Sequence, residues 1–142
     1  MSKLKLTTAN AIVDDALSFA KEKGLKPLSV AVLDAGGHLI AFQKQDGASM
    51  LRFEIAFGKA CGALAVGFGS RWLENAARER PHFIAGLTAA SGGNVVPVPG
   101  GVLLVDEGNL LGAVGITGDT SDNDEAAAVA AIEAVGLTSR VD

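Results

Sequence analysis

Between Thr7 or Thr8 and Lys23, the apolar residues Ile12, Val13, Ala16, Leu17 and Ala20 recur at helical spacing. Asp14, Asp15, Lys21 and Glu22 are turned away from them, and Gly24 closes the run, which predicts an amphipathic helix. Leu28 to Asp34 and His38 to Lys44 are strand-like runs separated by Ala35-Gly36-Gly37, so they predict a β-hairpin. Ala48 to Gly69 is apolar nearly all the way round, with charges only at Arg52, Glu54 and Lys59. Those charges and several glycines separate it from a membrane span and predict a helix buried in a core or subunit interface. Gly58 and Gly62, one helical turn apart, would admit another backbone closely, as in a subunit contact. Glu74 to Arg80 predicts a short polar helix ended by Pro81, and Phe83 to Leu87 predicts an edge strand. Ser91 to Gly101 has the glycines and prolines of a loop. Val102 to Asp106 and Leu110 to Thr117 predict a second hairpin, and Ser121 predicts the cap of an Ala-rich helix running to Val135 and closed by Gly136.

The hairpins align without a gap, Leu33 to Ala41 on Val105 to Ala113, so one turn chemistry serves twice. Paired strands interrupted by long helices predict an α+β fold, a central antiparallel sheet covered by helices, and disfavour a doubly wound nucleotide fold. At 142 residues, the expectation is one domain spanning 1–142. A net charge of −4, with one Trp and no Tyr to stack on bases, argues against a nucleic-acid partner. The single cysteine rules out an intrachain disulfide. The basic start lacks an apolar stretch of signal-peptide length, which makes the cytoplasm the default location, with no membrane partner expected. A mean hydropathy of +0.33 together with abundant Ala predicts a homo-oligomer.

Several chemistries lack their residues. Gly67-Phe-Gly69-Ser-Arg-Trp72 has Trp where a dinucleotide fingerprint needs its third Gly, and it follows a helix instead of a strand. Neither a phosphate-cradling P-loop nor a G-x-S-x-G elbow occurs. His38 and His82 have no Cys or second His at zinc-ligand spacing. His82 reads as a solvated residue. His38, just after a turn, reads either as exposed or as an axial ligand to a haem iron, for which a single imidazole nitrogen suffices. Arg52 and Lys59 project from one side of the apolar helix. They either pair with Asp46, Glu54 or an acidic residue of the last helix, or form a pocket wall for ligand carboxylates. Asp46 either shapes its turn or serves as a pocket residue and general base. The Pro97-Val-Pro99-Gly100-Gly101 loop either positions the second hairpin or presents its backbone to a ligand. Cys61 reads as a packing residue.

Taken in order, Val32 to Ala41, Asp46-Gly47-Ala48, Gly58-Lys59-Ala60, Pro97 to Val102, Gly112 to Gly118 and Asp124 resemble the GlcG/HbpS family of haem-binding proteins. That family also supplies the C-terminal domain of PduO-type proteins. The resemblance implies an α+β domain with profilin/PAS-like layering, assembly into dimers or rings, and binding of haem or a related tetrapyrrole, in haem handling or redox sensing. On that reading His38 is the iron ligand, Arg52 and Lys59 face the propionates, and Asp46, Pro99, Gly100 and Gly101 line the cofactor site. Two other readings stand beside it. One is an enzyme acting on a small carboxylate or carbonyl compound, with Asp46 as base. The other is a ligand-free oligomeric accessory protein.

Overall fold

The fold was analysed in a computed structural model, which describes residues 3–142. The chain runs α1 (Leu6–Lys23), β1 (Ser29–Asp34), β2 (Leu39–Lys44), α2 (Arg52–Val66), α3 (Ser70–Glu79), α4 (Pro81–Ala90), β3 (Gly101–Asp106), β4 (Asn109–Thr117), α5 (Ser121–Ala134) and β5 (Thr138–Arg140). The strands form one antiparallel sheet in the order β2-β1-β4-β3-β5, which is the α+β architecture expected from the paired hairpins.

The two faces of the sheet are covered differently. Val30, Val32, Val102, Leu104, Val114 and Ile116 pack under α1 and α5, with Ile12, Val13 and Ile132. The alternate residues Ala31, Leu33, Leu103, Val105 and Ala113 lie under α2, with its Ala56, Ala60 and Ala63. Both faces are dry, so the central strands read as continuous apolar runs with little alternation. The small residues of α2 bring its backbone onto β4: a Cβ at Gly115 would run into the Ala56 carbonyl oxygen.

Several local expectations change. Phe83 to Leu87 is the middle of α4 and not a strand. Pro81 occupies the first turn, where its missing N–H costs nothing, and Phe83 and Leu87 pack with Ile84 against Leu73 and Trp72 of α3. The long apolar helix begins at Arg52 instead of Ala48, because Gly47 at φ 86° belongs to the preceding turn. The last helix is capped by Thr120, whose hydroxyl accepts from the Asn123 amide, and Ser121 is its first residue. β5, three residues long, carries no periodicity from which to predict it. Gly58 and Gly62 admit close packing within the chain itself: added Cβ atoms would meet Val96 and Leu73 at 2.6 and 2.9 Å.

Each hairpin has a register shift, between Val32 and Leu33 and between Leu104 and Val105. Their turns differ. Glu107 (φ 49°) and Gly108 (φ 82°) make a two-residue turn, whereas the Asp34 amide reaches the His38 carbonyl around three residues, with Gly37 at φ 83°. The longer turn carries the histidine.

Gly115→Ala should lower stability by about 1–3 kcal/mol, the usual cost of overpacking. A fall of several degrees in the thermal midpoint checks this, and an unchanged midpoint would show that α2 has room to withdraw.

Candidate functional site

The candidate residues divide between the two ends of the sheet. At the end where β1 and β3 begin and β4 finishes, Lys59 is 2% exposed and points inward. Its ammonium donates to the Ile116 carbonyl at 2.9 Å and to Asp124 Oδ2 at 3.0 Å. Asp124, at the start of α5 and 1% exposed, also accepts from the Asp119 amide through Oδ1. Burial pushes Lys59 below the ordinary lysine range and Asp124 above the ordinary carboxylate range, each toward its neutral form. Their mutual attraction opposes both shifts, and nearby Arg52 adds to the lowering of Lys59.

Gly100 and Gly101 belong to this cluster. A Cβ on Gly100 would meet Lys59 Nζ at 2.9 Å, and one on Gly101 would run into the Lys59 carbonyl. Pro99 leads into them, and the Gly100 carbonyl accepts from the Ile116 amide. These residues seat the lysine, and of the two alternatives for its charge the structure selects pairing with the last helix. Lys59 therefore does not share an open cavity with Arg52. Among the described residues Arg52 takes only neutral partners, Nε donating to Ser49 Oγ at 2.9 Å and Nη1 to Thr117 Oγ1 at 2.7 Å.

His38 stands at the opposite end. The Asp34 carboxylate accepts through Oδ1 from the Gly36 amide at 2.9 Å and the His38 amide at 3.0 Å, and the same oxygen lies 3.2 Å from His38 Nδ1. Chiefly the His38 amide, helped by Gly36, holds this carboxyl below its usual range. The imidazole lies over Gly36, where a Cβ would meet Cε1 at 2.9 Å. With Nδ1 turned to Asp34, Nε2 remains available. Beside the ring is a cleft of about 440 Å³ lined by Leu4, Leu110 and Leu111, with Lys3 at its edge and Asp34, Ala35 and Gly36 completing it.

Asp46 falls in neither group. It lines a groove of about 470 Å³ between α1 and the edge strand β2, with Leu17, Leu25, Pro27 and Gln45. Among the described residues no hydrogen bond or ion pair links Asp46 to Arg52 or Lys59. Sequence reading missed Lys3, Leu4, Leu110 and Leu111 because tertiary packing alone joins the chain start to the second hairpin. The Asp34 contact had one local signal, an aspartate four residues before the histidine across a Gly-Gly turn.

A family model described as "Haem degrading protein HbpS-like" matches residues 4–133. The chain belongs to the HbpS-like family. Among solved structures, it is similar to a PduOC:heme complex, with a TM-score of 0.85 and 26% identity, covering 96% of this chain and 97% of that one. The crystal structure of HbpS matches with a TM-score of 0.82 and 25% identity, over 96% and 92% of the two chains. A curated relative, an uncharacterized 15.0 kDa protein of Citrobacter freundii from the dhaT-dhaS intergenic region, is 27% identical over 107 residues, 75% of each chain. This HbpS-like chain has, among its described residues, no helix long and apolar enough to cross a membrane.

Asp124→Asn should be strongly destabilising, by about 3–5 kcal/mol, because it leaves the Lys59 ammonium buried without its counter-charge. Denaturant titration checks this. Lys59→Met combined with Asp124→Leu should recover most of the loss, since the apolar pair removes both desolvation costs.

Proposed function

We propose that this HbpS-like protein binds haem or a closely related tetrapyrrole at the hairpin end of its sheet, with His38 as the iron ligand. The observation that carries the reading is the Asp34–His38 contact beside an apolar cleft. A carboxylate at Nδ1 fixes the ring orientation and raises the basicity of Nε2, the arrangement that metal-binding imidazoles commonly use. The neighbouring cleft has the size of a small-molecule site, and its leucine walls suit a flat apolar ring. Lys3 at the edge supplies a cation for a propionate. The heme held by the similar PduOC structure and the haem-related description of the family support the same ligand class. Bound there, the iron would supply redox chemistry, for haem handling or redox sensing.

Arg52 and Lys59 have no part in this site. β1 spans six residues, so the two ends of the sheet are about 17 Å apart at 3.4 Å per residue. That exceeds the distance from a porphyrin iron to its propionates. Leu39 and Leu110 are 42% and 40% exposed, and Leu6 58%. These side chains leave apolar surface at the hairpin end for the macrocycle or a second copy of the chain to cover, in keeping with a homo-oligomer. The protein's location in the cell is the cytoplasm on this reading.

Hemin titrated into the purified protein should give a saturable Soret shift. His38→Ala should alter the band and weaken binding at least about tenfold, while Asp34→Asn should weaken it by about 10- to 100-fold. Arg52→Gln should titrate like the native chain. An identical Soret band and affinity in His38→Ala would remove the histidine from the iron.

A further inference from the structure

At the other end of the sheet one buried side-chain polar atom has no partner among the described residues. Ser29 is fully buried, and its hydroxyl makes no hydrogen bond. Alternation along β1 sends Val30 and Val32 under α1 and α5, so Ser29 faces α2 together with Ala31 and Leu33. It lies between Thr117 of β4 and Lys44 of β2 in the register of the sheet. Thr117 is the residue whose hydroxyl accepts from Arg52, so the orphan hydroxyl sits next to the anchor of that guanidinium.

Arg52 is unusual in turn. It is half-buried, yet among the described residues no carboxylate comes within 4.0 Å of it. The other partly buried arginine, Arg71, holds both Glu125 and Asp122. Two of the five N–H groups of Arg52 go to Ser49 and Thr117, leaving three uncommitted. Arg52 is also the first residue of α2, whose N-cap, Leu51, offers no side-chain acceptor to the first turn. The positive end of the helix dipole therefore adds to the guanidinium charge. Lys59 is close enough to Arg52 for charge repulsion between them. An anion here would relieve it.

We propose that this corner, beneath the first turn of α2, is a binding site for a small oxyanion, with the Arg52 guanidinium as the charged fork and the Ser29 and Thr117 hydroxyls as neighbouring donors. The ligand class is the carboxylate of a small organic acid or an inorganic oxyanion of similar size. The site is a sheet's length from His38 and does not rest on the haem reading. Among the described residues no carboxylate or imidazole is hydrogen-bonded to Arg52, or to Ser29 or Thr117 to activate their hydroxyls, so the role is recognition without chemistry.

Thermal unfolding of the full chain tests this, with acetate or sulfate titrated against sodium chloride at matched ionic strength. A saturable rise in midpoint with acetate or sulfate but not with chloride is expected, and the stronger of the two identifies the oxyanion type. Arg52→Gln should weaken the response at least about tenfold, the loss typical of a charge-assisted hydrogen bond. Should that variant not fold, Arg52→Lys, which keeps the charge but loses the fork, should show a loss in the same direction. Ser29→Ala should keep the anion-free midpoint or raise it, because an orphan hydroxyl is removed, and should weaken the anion response about three- to tenfold. A response shared with chloride, or one that persists unchanged in both Arg52→Gln and Ser29→Ala, overturns the proposal and leaves a buried water as the partner of Ser29.

Discussion

A lysine ammonium and an aspartate carboxylate, both almost wholly removed from solvent, join the middle of α2 to the start of α5 across the end of β4. The helices lie on opposite faces of the sheet, so this pair is one of the few connections between its two layers. Both charges are costly to bury, and their attraction offsets that cost only with good geometry and additional hydrogen bonds. Here the ammonium also donates to the Ile116 carbonyl, and the Asp119 amide donates to the second carboxylate oxygen. Gly100 and Gly101 follow from the same requirement, because side chains there would occupy the space of the lysine. A motif that reads like ligand-binding residues, glycine-lysine on a helix with Pro-Gly-Gly in a loop, is thus largely an internal fastening.

The sequence made the architecture legible wherever one physical signal dominated. Gly24 in the left-handed region stops α1 as its position after Lys23 requires, and both hairpins announce themselves through turn residues between apolar runs. The signal failed where two periods fit equally well. Phe83 to Leu87 is too short to separate a strand from a helix, and what decided it was α3, against which Phe83, Ile84 and Leu87 pack. At the candidate site, residue types were readable but partners were not. Nothing local says whether Lys59 turns to a cavity or to Asp124, 65 positions away. Nor does anything local say that Leu4 and Leu111 meet beside His38.

Separating the two ends also changes how the family resemblance bears on this chain. Relatedness to HbpS and the PduOC domain accounts for the sheet and the helical layers. It does not require one site to gather every charged residue of the shared motifs. Some of those residues hold the domain together, and others stand at a distance that a single macrocycle does not span.

The register shifts in the two hairpins carry a consequence for the backbone at that end of the sheet. A bulge bends its strand and increases local twist, and here the two shifts are staggered across the sheet, because Leu33 is level with Leu103 and the second shift falls beyond Leu104. Local twist near His38 therefore has a source in backbone pairing that is separate from the leucines of the cleft. Exchanging those leucines for polar or larger residues would change the lining of the cleft and leave these backbone shifts in place.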